Sequence, residues 1–330
     1  MFSDPYPQQD GLFGRAVHIV DLNGDGYGEV LVGAPGKAVS GNAEAGQLLI
    51  RVGPVFSMSS YWIVIEAPLG GPKPNAEFGY DIATGDFDFD GSVDVAIGVP
   101  GAVIDPGRCD QGEVVVLFGP WRFPGSPHPY RYAQSFQEPP ENRDNVCSDR
   151  NGDRFGARIA AVNPNNDPYD DLVVGSPGSN CESGSNTYKL CGQAYVYWGD
   201  DRSSVFLGPP IELFHPNGLS ADRIFGWDVG GGNVVDVETT GTQDVLVAAY
   251  NRELPLGKGN AGDFVVFRDY RSITRSSAEP RSHGQAGVSP APSLATPWQS
   301  GISMATLLQM WPWGHPPTWG QVRSMARCTS

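Results

Sequence analysis

Two short marks, repeated at a fixed distance from each other, constrain the fold of this chain more than any other feature. Phe-Gly occurs four times, at intervals of 65, 77 and 70 residues, beginning at Phe13, Phe78, Phe155 and Phe225. Twenty residues after each of the first three phenylalanines comes Gly-x-Pro, beginning at Gly33, Gly98 and Gly175. A spacing that is held through three copies indicates tandem structural repeats.

An acidic loop of nine residues lies between the two marks. The first copy reads Asp-Leu-Asn-Gly-Asp-Gly-Tyr-Gly-Glu from Asp21, and the second reads Asp-Phe-Asp-Phe-Asp-Gly-Ser-Val-Asp from Asp86. The third copy begins at Asn163. In the fourth copy the loop is recovered from Asp236 if three residues are inserted, and we place that insertion before the loop, near Gly230–Gly232.

The residue types of this loop suit calcium. Calcium prefers about six to eight oxygen ligands, and side chains at positions 1, 3 and 5 of a tight loop converge on one point. An EF-hand starts in the same way, but it needs glutamate at position 12 and flanking helices. Here position 12 is Val32 or Ile97, and the closing acid stands at position 9. The alternative is a plain turn without an ion, although the four aspartates of the second loop repel one another unless a cation is present.

The third and fourth loops depart from this pattern. Pro168 replaces the turn glycine of the third loop, and its φ is fixed near −65°. We therefore expect weak binding there, or an altered geometry. The fourth loop has Thr240 at the fifth position, which is a weaker ligand than a carboxylate.

The runs around each loop predict strands. They are rich in Val, Ile, Tyr and Phe, which favour pleated, half-buried surfaces. Four antiparallel strands per repeat, arranged radially, form the blade of a β-propeller. We therefore predict an all-β propeller with four recognisable repeats, a partial or small propeller, in which the last repeat lacks an evident fourth strand and the repeats lie near 13–66, 78–137, 155–215 and 225–270.

The segment 271–330 differs from the propeller segment 1–270. It is rich in Ser, Pro and Arg, and it shows neither the repeat nor a steady periodicity. We expect it to be disordered or spurious sequence; the alternative is a tryptophan-bearing recognition tail. From the net charge of −15 we expect no nucleic acid partner and no unaided binding to anionic lipid.

Cysteine and histidine usage argues against a catalytic or zinc-binding role. No CxxC is present, and no two histidines stand at metal-ligand spacing. G-x-S-x-G, Walker and dinucleotide-binding motifs are also absent from the sequence, so we do not expect an enzyme. Cys181 and Cys191 flank a short loop and either form a disulfide, which implies an oxidising compartment, or stay free thiols.

Phe-Gly, the acidic loop and Gly-Ala-Pro together resemble FG-GAP repeats. The chain is similar to the N-terminal β-propeller of integrin α subunits and to the propeller of glycosylphosphatidylinositol-specific phospholipase D, although family propellers usually have seven blades. The resemblance implies bound Ca²⁺, with the carbonyls of Tyr27 and Ser92 among the ligands. The implied set is Asp21, Asn23, Asp25, Tyr27 and Glu29; Asp86, Asp88, Asp90, Ser92 and Asp94; Asn163, Asn165, Asp167 and Asp171; and Asp236, Glu238, Thr240 and Asp244.

The resemblance also implies a function. An integrin-α-like propeller would be an adhesion module that binds a protein or extracellular-matrix ligand, with or without a partner subunit, at the cell surface or outside the cell. Two alternatives stay open: an accessory propeller of a secreted hydrolase, and a purely structural, calcium-stabilised scaffold. We expect no segment of this chain to insert into a membrane.

Overall fold

The computed structural model describes residues 3–53, 61–105, 110–123, 129–140, 152–183, 186–188, 190–201, 205–206, 208–215, 224–234, 241–250 and 262–267. All of these residues lie within the unit Met1–Ala286. They form strands and turns, and no helix that could cross a membrane occurs in this part of the chain. The predicted disordered tail, 271–330, lies outside the described residues.

The described strands follow the repeats of the sequence. In chain order they are β1 (Val17–Val20), β2 (Glu29–Ala34), β3 (Gln47–Arg51), β4 (Trp62–Ile65), β5 (Ile82–Gly85), β6 (Asp94–Val99), β7 (Glu113–Phe118), β8 (Tyr132–Phe136), β9 (Arg158–Val162), β10 (Asp171–Ser176), β11 (Cys181–Ser183), β12 (Asn186–Tyr188), β13 (Gln193–Tyr197), β14 (Ile211–Leu213), β15 (Phe225–Gly232), β16 (Asp244–Ala249) and β17 (Asp263–Phe267).

Each repeat forms one antiparallel sheet with an up-and-down order. Sheet 1 contains β1 to β4, sheet 2 contains β5 to β8, sheet 3 contains β9, β10, β13 and β14, and sheet 4 contains β15 to β17. Neighbouring sheets pack against each other in chain order. The prediction of an all-β fold built from four propeller-type blades is therefore confirmed, including three strands in the described part of the last blade.

A small hairpin that the sequence did not predict interrupts sheet 3. Strands β11 and β12 pair with each other between β10 and β13. Cys181 and Cys191 form a disulfide across this insertion, with their Cα atoms 5.9 Å apart. The disulfide decides between the two alternatives that the sequence left open for this pair.

Among the described residues the hydrophobic core forms three clusters, and each joins two successive sheets. Between sheets 1 and 2, for example, Leu31 and Leu48 pack with Phe78 and Val95. Burial of these apolar side chains is the main force that holds one blade to the next. The phenylalanine of each internal Phe-Gly mark also makes a parallel bridge to a glycine of the preceding sheet, in the pairs Gly46 with Phe78, Gly112 with Phe155, and Gly192 with Phe225.

The two marks of the repeat meet at these junctions. A Cβ added to Gly98 would come much closer to the carbonyl oxygen of Gly156 than the 3.0 Å that real Cβ atoms respect. Gly33 and Gly175 are approached in the same way by the Phe-Gly glycine of the following sheet. The fixed spacing of the marks therefore has a steric cause, because glycine is required where the next blade crosses.

The pairing register corrects our placement of the insertion in the fourth repeat. Val20 pairs with Glu29 and Gly85 pairs with Asp94, whereas Gly232 pairs with Asp244. Gly232 stands seven residues after its Phe-Gly phenylalanine, as Val20 and Gly85 do. The prediction that three extra residues precede the loop is wrong; they lengthen the loop itself, between Gly232 and Asp244.

Candidate metal sites

Loop 1, between β1 and β2, is folded around its first aspartate. The two carboxylate oxygens of Asp21 accept hydrogen bonds from Gly24 N at 2.8 Å and from Gly26 N at 2.8 Å. The Asn23 side-chain oxygen accepts a bond from Asp25 N at 2.9 Å. These short-range bonds hold positions 1, 3 and 5 close to one another within the loop. The remaining predicted ligands are Tyr27, which is exposed, and Glu29, which is buried.

Loop 2, between β5 and β6, has the same kind of hydrogen bonds to its first aspartate and contains more carboxylates. Asp86 accepts hydrogen bonds from Asp90 N and Gly91 N, both at 3.0 Å. One carboxylate oxygen from each of Asp86, Asp88 and Asp94 lies within 4.8 Å of the other two. Two oxygens bound to one calcium ion at about 2.4 Å are at most about 5 Å apart. The residues of loop 2 therefore fit a calcium ion, whose role would be to neutralise the loop and join its strands.

A guanidinium group also lies against loop 2. Arg131 Nη1 is 3.0 Å from Asp90 Oδ2, and its Nη2 is 3.3 Å from Asp88 Oδ2. Both carboxylates are nearly fully buried while the arginine is partly exposed. The Arg131 guanidinium also lies 4.8 Å from the centre of the Tyr132 ring. Arg131 could not be predicted as part of this site from the sequence, because it stands 41 residues after Asp90 and only the pairing of β7 with β8 brings it near.

The closing acid at position 9 also accepts hydrogen bonds from the backbone of its own sheet. Asp94 Oδ2 accepts a hydrogen bond from Phe87 N, and its Oδ1 accepts one from Gly119 N, both at 2.9 Å. Glu29 joins the corresponding groups in sheet 1, Leu22 N at 2.9 Å and Gly53 N at 3.2 Å. The acid thus ties its loop to the chain that follows the third strand. Each carboxylate oxygen has a second lone pair that is available to an ion.

Burial of these acids shifts their titration. The pKa of Asp94 is raised to about 8, mainly by burial and to a lesser extent by the charges of Asp88 and Asp86, while its backbone hydrogen bonds oppose the shift. The pKa values of Glu29 and Asp86 are also raised, first by burial and then by neighbouring carboxylates. A divalent cation would reverse these shifts, because it favours the ionised form of every ligand.

Loop 3, between β9 and β10, has a different hydrogen-bond pattern. The Asn163 side-chain amide donates to the carbonyl oxygen of Asp167 at 2.8 Å, and the Asn165 amide donates to Asp167 Oδ2 at 2.8 Å. Pro168 has no N–H to offer the first residue of the loop. The closing Asp171 is buried and accepts a bond from Gly199 N at 2.8 Å. The structure therefore retains the closing acid and changes the geometry at the start of the loop.

In loop 4, between β15 and β16, Asp244 is the one predicted ligand that lies among the described residues. Asp244 is buried and its Oδ2 accepts a bond from Val234 N at 2.9 Å. Because the extra residues lie inside the loop, Asn233 occupies the register position of Asp21 and Asp86. The predicted ligands Asp236, Glu238 and Thr240 lie outside the described residues, and their role as ligands stays a prediction.

Successive loops are also bonded to each other, which the sequence analysis did not anticipate. Asp170 of loop 3 accepts a bond from Asp86 N at 2.9 Å and donates its own N–H to the Asp86 carbonyl at 3.1 Å. Gln243 and Asn163 make the same pair of contacts between loops 4 and 3. In loops 2 and 3 the first residue is therefore positioned by the residue that stands just before the closing acid of the next loop.

This fold and these loops define a class of protein, and comparison with known sequences agrees with it. The FG-GAP repeat family matches residues 13–50 and 78–117. FG-GAP repeats are therefore found in the first two sheets, and the structure repeats the same antiparallel strand order in sheets 3 and 4.

Two kinds of relative share this part of the sequence. Phosphatidylinositol-glycan-specific phospholipase D of Bos taurus is 32% identical over 168 residues, which are 50% of this chain and 18% of the relative. Integrin alpha-IIb of Homo sapiens is 31% identical over 182 residues, covering 52% of this chain and 15% of the relative. Integrin alpha-5 of Xenopus laevis is 25% identical over 219 residues, 66% of this chain and 17% of the relative. The chain thus spans less than a fifth of the length of these three relatives.

Proposed function

We propose that this chain is a calcium-stabilised FG-GAP propeller segment that binds a protein ligand. The proposal of calcium binding rests on one observation: carboxylate oxygens of Asp86, Asp88 and Asp94 lie within 4.8 Å of one another. Loops 1 and 2 are joined to their blades, since their closing acids accept hydrogen bonds from the chain that follows the third strand. An ion in loop 2 would therefore stiffen a whole blade. It would take no part in bond-breaking chemistry, and we propose no catalytic activity for the chain.

The ligand-binding part rests on similarity. The match to integrin alpha subunits supports an adhesion module for a protein or extracellular-matrix ligand. The similar match to phosphatidylinositol-glycan-specific phospholipase D supports the second candidate, an accessory propeller of a hydrolase. The disulfide between Cys181 and Cys191 supports an extracellular or cell-surface location under either candidate, because disulfides persist in oxidising compartments.

Calcium is expected to raise the melting temperature of the purified chain by several degrees. An ion that binds only the folded state at a concentration of about 100 Kd stabilises it by roughly 2.7 kcal/mol. Asp88→Ala combined with Asp90→Ala should remove most of this gain. Differential scanning calorimetry in calcium and in chelator measures it. Glu44→Ala combined with Glu66→Ala is the matched control, since it removes two acids that lie outside the loops.

Identical melting curves of the wild-type chain in calcium and in chelator would contradict the calcium proposal. The ligand proposal is tested separately by immobilising the calcium-loaded chain and probing it with purified extracellular-matrix proteins. Binding that is lost in the Asp88/Asp90 variant supports a calcium-dependent adhesion module. No binding to any matrix protein would contradict the adhesion function and leave the two alternatives, an accessory propeller of a hydrolase and a purely structural scaffold.

Arg131→Gln is expected to tighten calcium binding at loop 2 by about tenfold or more. The guanidinium already neutralises Asp88 and Asp90, and it would repel a divalent ion held by the same carboxylates. In chelator the same variant should melt at a lower temperature than wild type, because the two acids lose a cationic neighbour. Calorimetric calcium titration checks the first expectation, and Arg122→Gln is the control. Weaker calcium binding in Arg131→Gln would show that the arginine instead positions the ligands.

A further inference from the structure

Loop 1 contains an asparagine that is followed directly by glycine, at Asn23 and Gly24. Asparagine before glycine is especially open to spontaneous deamidation, because glycine has no side chain to hinder the attack of its own backbone nitrogen on the asparagine amide carbon. Asn23 is half-buried and Gly24 is exposed. A Cβ added to Gly24 would meet no atom within 4 Å, so neighbouring side chains leave this peptide open to water.

Two groups of the loop contact the atoms that would react. Asp21 Oδ1 accepts a hydrogen bond from Gly24 N at 2.8 Å, and this N–H carries the proton that must leave when the nitrogen attacks. Asp25 N donates to Asn23 Oδ1 at 2.9 Å, and this oxygen takes up negative charge when Cγ is attacked. The loop therefore holds a base within reach of the proton and a donor at the developing oxyanion.

Loop 3 holds its own asparagine at position 3 in the same way. Asn165 Oδ1 accepts a hydrogen bond from Asp167 N at 3.1 Å, and the Asn165 amide donates to Asp167 Oδ2 at 2.8 Å. The Asn23 amide donates to Asp25 Oδ2 at 3.1 Å in the corresponding contact. The two asparagine side chains thus have matching partners.

The residues around the asparagine of loop 3 lack the two reactive features of loop 1. Asn166 stands at the position of Gly24 in the same left-handed conformation, with φ of 54° against 72°. Asn163 stands at the position of Asp21, and an amide is not a base at neutral pH. Loop 3 is therefore an internal comparison in which the asparagine is held alike and should not react.

We propose that Asn23 is a site of spontaneous deamidation and that the Asp21 carboxylate is the base of the reaction. Gly24 N gives its proton to Asp21 and bonds to Asn23 Cγ, which closes a succinimide ring. The Cγ–Nδ2 bond then breaks, and the amide nitrogen takes up that proton and leaves as ammonia. Water from the solvent opens the ring at either carbonyl carbon, which yields aspartate or isoaspartate at position 23.

The aspartate product gives loop 1 the same acids at positions 1, 3 and 5 as loop 2, where Asp86, Asp88 and Asp90 stand. The affinity of a calcium loop depends on the charge of its ligands. Deamidation to aspartate thus turns loop 1 into a stronger calcium site as the molecule ages, whereas isoaspartate lengthens the backbone of the loop. This consequence rests on the proposed calcium function, but the deamidation itself does not.

The test follows the conversion of Asn23 in the full folded chain, kept in chelator at neutral pH. Peptide mapping by mass spectrometry separates the asparagine, aspartate and isoaspartate forms. We expect conversion at Asn23 and none at Asn165 over the same period. Asp21→Asn should slow the conversion of Asn23 by about tenfold or more, because a positioned base typically contributes at least this much.

Two further Asn-Gly pairs, at Asn151 and Asn217, provide references in the same molecule, and both asparagines lie outside the described residues. Their conversion should be the same in wild type and in Asp21→Asn, whereas a general loss of folding would change all three sites. Asn166→Gly gives loop 3 the missing glycine without the carboxylate. Asn165 in that variant should convert about tenfold more slowly than Asn23.

Three results would overturn the proposal. An unchanged rate at Asn23 in Asp21→Asn removes the carboxylate from the reaction. Conversion of Asn165 in Asn166→Gly at the rate of Asn23 shows that glycine alone is sufficient. No conversion of Asn23 in the folded wild type, over a period in which the urea-unfolded chain converts, removes the site itself.

The consequence for calcium is measured with Asn23→Asp in a chain whose loop 2 is disabled by Asp88→Ala and Asp90→Ala. Calorimetric titration should show calcium binding about tenfold tighter than in the same chain with Asn23. Equal affinity of the two chains overturns the consequence and leaves the deamidation, measured in chelator, in place. Absence of calcium binding from both chains contradicts the calcium function at loop 1.

Discussion

Gly98→Ala is expected to destabilise the chain severely, by more than about 3 kcal/mol. The added methyl group would overlap the carbonyl oxygen of Gly156, which is backbone and cannot rotate away. Relief requires sheets 2 and 3 to separate, and overpacked sites of this kind cost roughly 1–3 kcal/mol even where neighbouring side chains can adjust. Because the junction buries Val114 and Phe155, its loss would also expose apolar core. Urea unfolding followed by tryptophan fluorescence measures the change.

Gly230→Ala is the matched control for this substitution. A Cβ at Gly230 meets no atom within 4 Å, and its φ is not in the left-handed region. The control should therefore change stability by less than about 1 kcal/mol, the range of a glycine-to-alanine change at a compatible site. If both variants have the same urea midpoint as wild type, the close approach of Gly98 to the Gly156 backbone does not determine how the blades hold together.

In chelator, the melting temperature is expected to fall as the pH rises from about 5 to 8. Asp94 ionises near pH 4 in the unfolded chain, but its folded pKa is raised to about 8 by burial. The protonated acid therefore favours the folded state; this contribution is complete below pH 4 and is lost as the pH rises through 8. A tenfold difference in proton affinity between the two states corresponds to about 1.4 kcal/mol, so the total effect amounts to several kcal/mol at most. Glu29 and Asp86, whose pKa values are also raised, act with the same sign.

Calcium should reverse this trend, because it binds the ionised carboxylates and competes with the proton. The difference between the melting temperatures in calcium and in chelator is thus expected to grow between pH 5 and 8. Asp94→Asn provides the control, since it cannot ionise and should flatten the fall in chelator. A melting temperature in chelator that is constant or rises over this range would show that Asp94 is ionised in the ion-free folded chain.

The repeat marks made the blades predictable from the sequence. Phe-Gly and Gly-x-Pro are local patterns with a fixed separation, and each fixes a backbone crossing that only glycine allows. The strand-rich runs between them could then be placed in antiparallel order, as β1 to β3 show. The acidic loops were visible for the same reason, because their ligand spacing is contained within nine residues.

Features that depend on pairing between distant strands could not be found in this way. Arg131 reaches loop 2 because β8 lies beside β7, and Asp170 reaches Asp86 because sheets 2 and 3 are adjacent. The extra residues of loop 4 were misplaced for a related reason. The run Gly230–Gly232 looks like an irregular insertion, but it pairs regularly with the start of β16. The hydrogen bonds of the closing acids had one signal in the sequence. Glycine follows the third strand at Gly53 and Gly119, and these glycines bind the closing acids.

The bridges from each internal Phe-Gly phenylalanine to a glycine of the preceding sheet have a consequence for how the chain is made. During synthesis the third strand of a blade emerges from the ribosome before the next blade has been made. The apolar surface of that blade therefore stays exposed to water until the next Phe-Gly emerges. The surface of sheet 1 stays exposed until Phe78 emerges, that of sheet 2 until Phe155, and that of sheet 3 until Phe225. The nascent polypeptide is therefore most exposed to chaperones and to aggregation during the longest of these intervals, which runs from the end of β7 at Phe118 to Phe155.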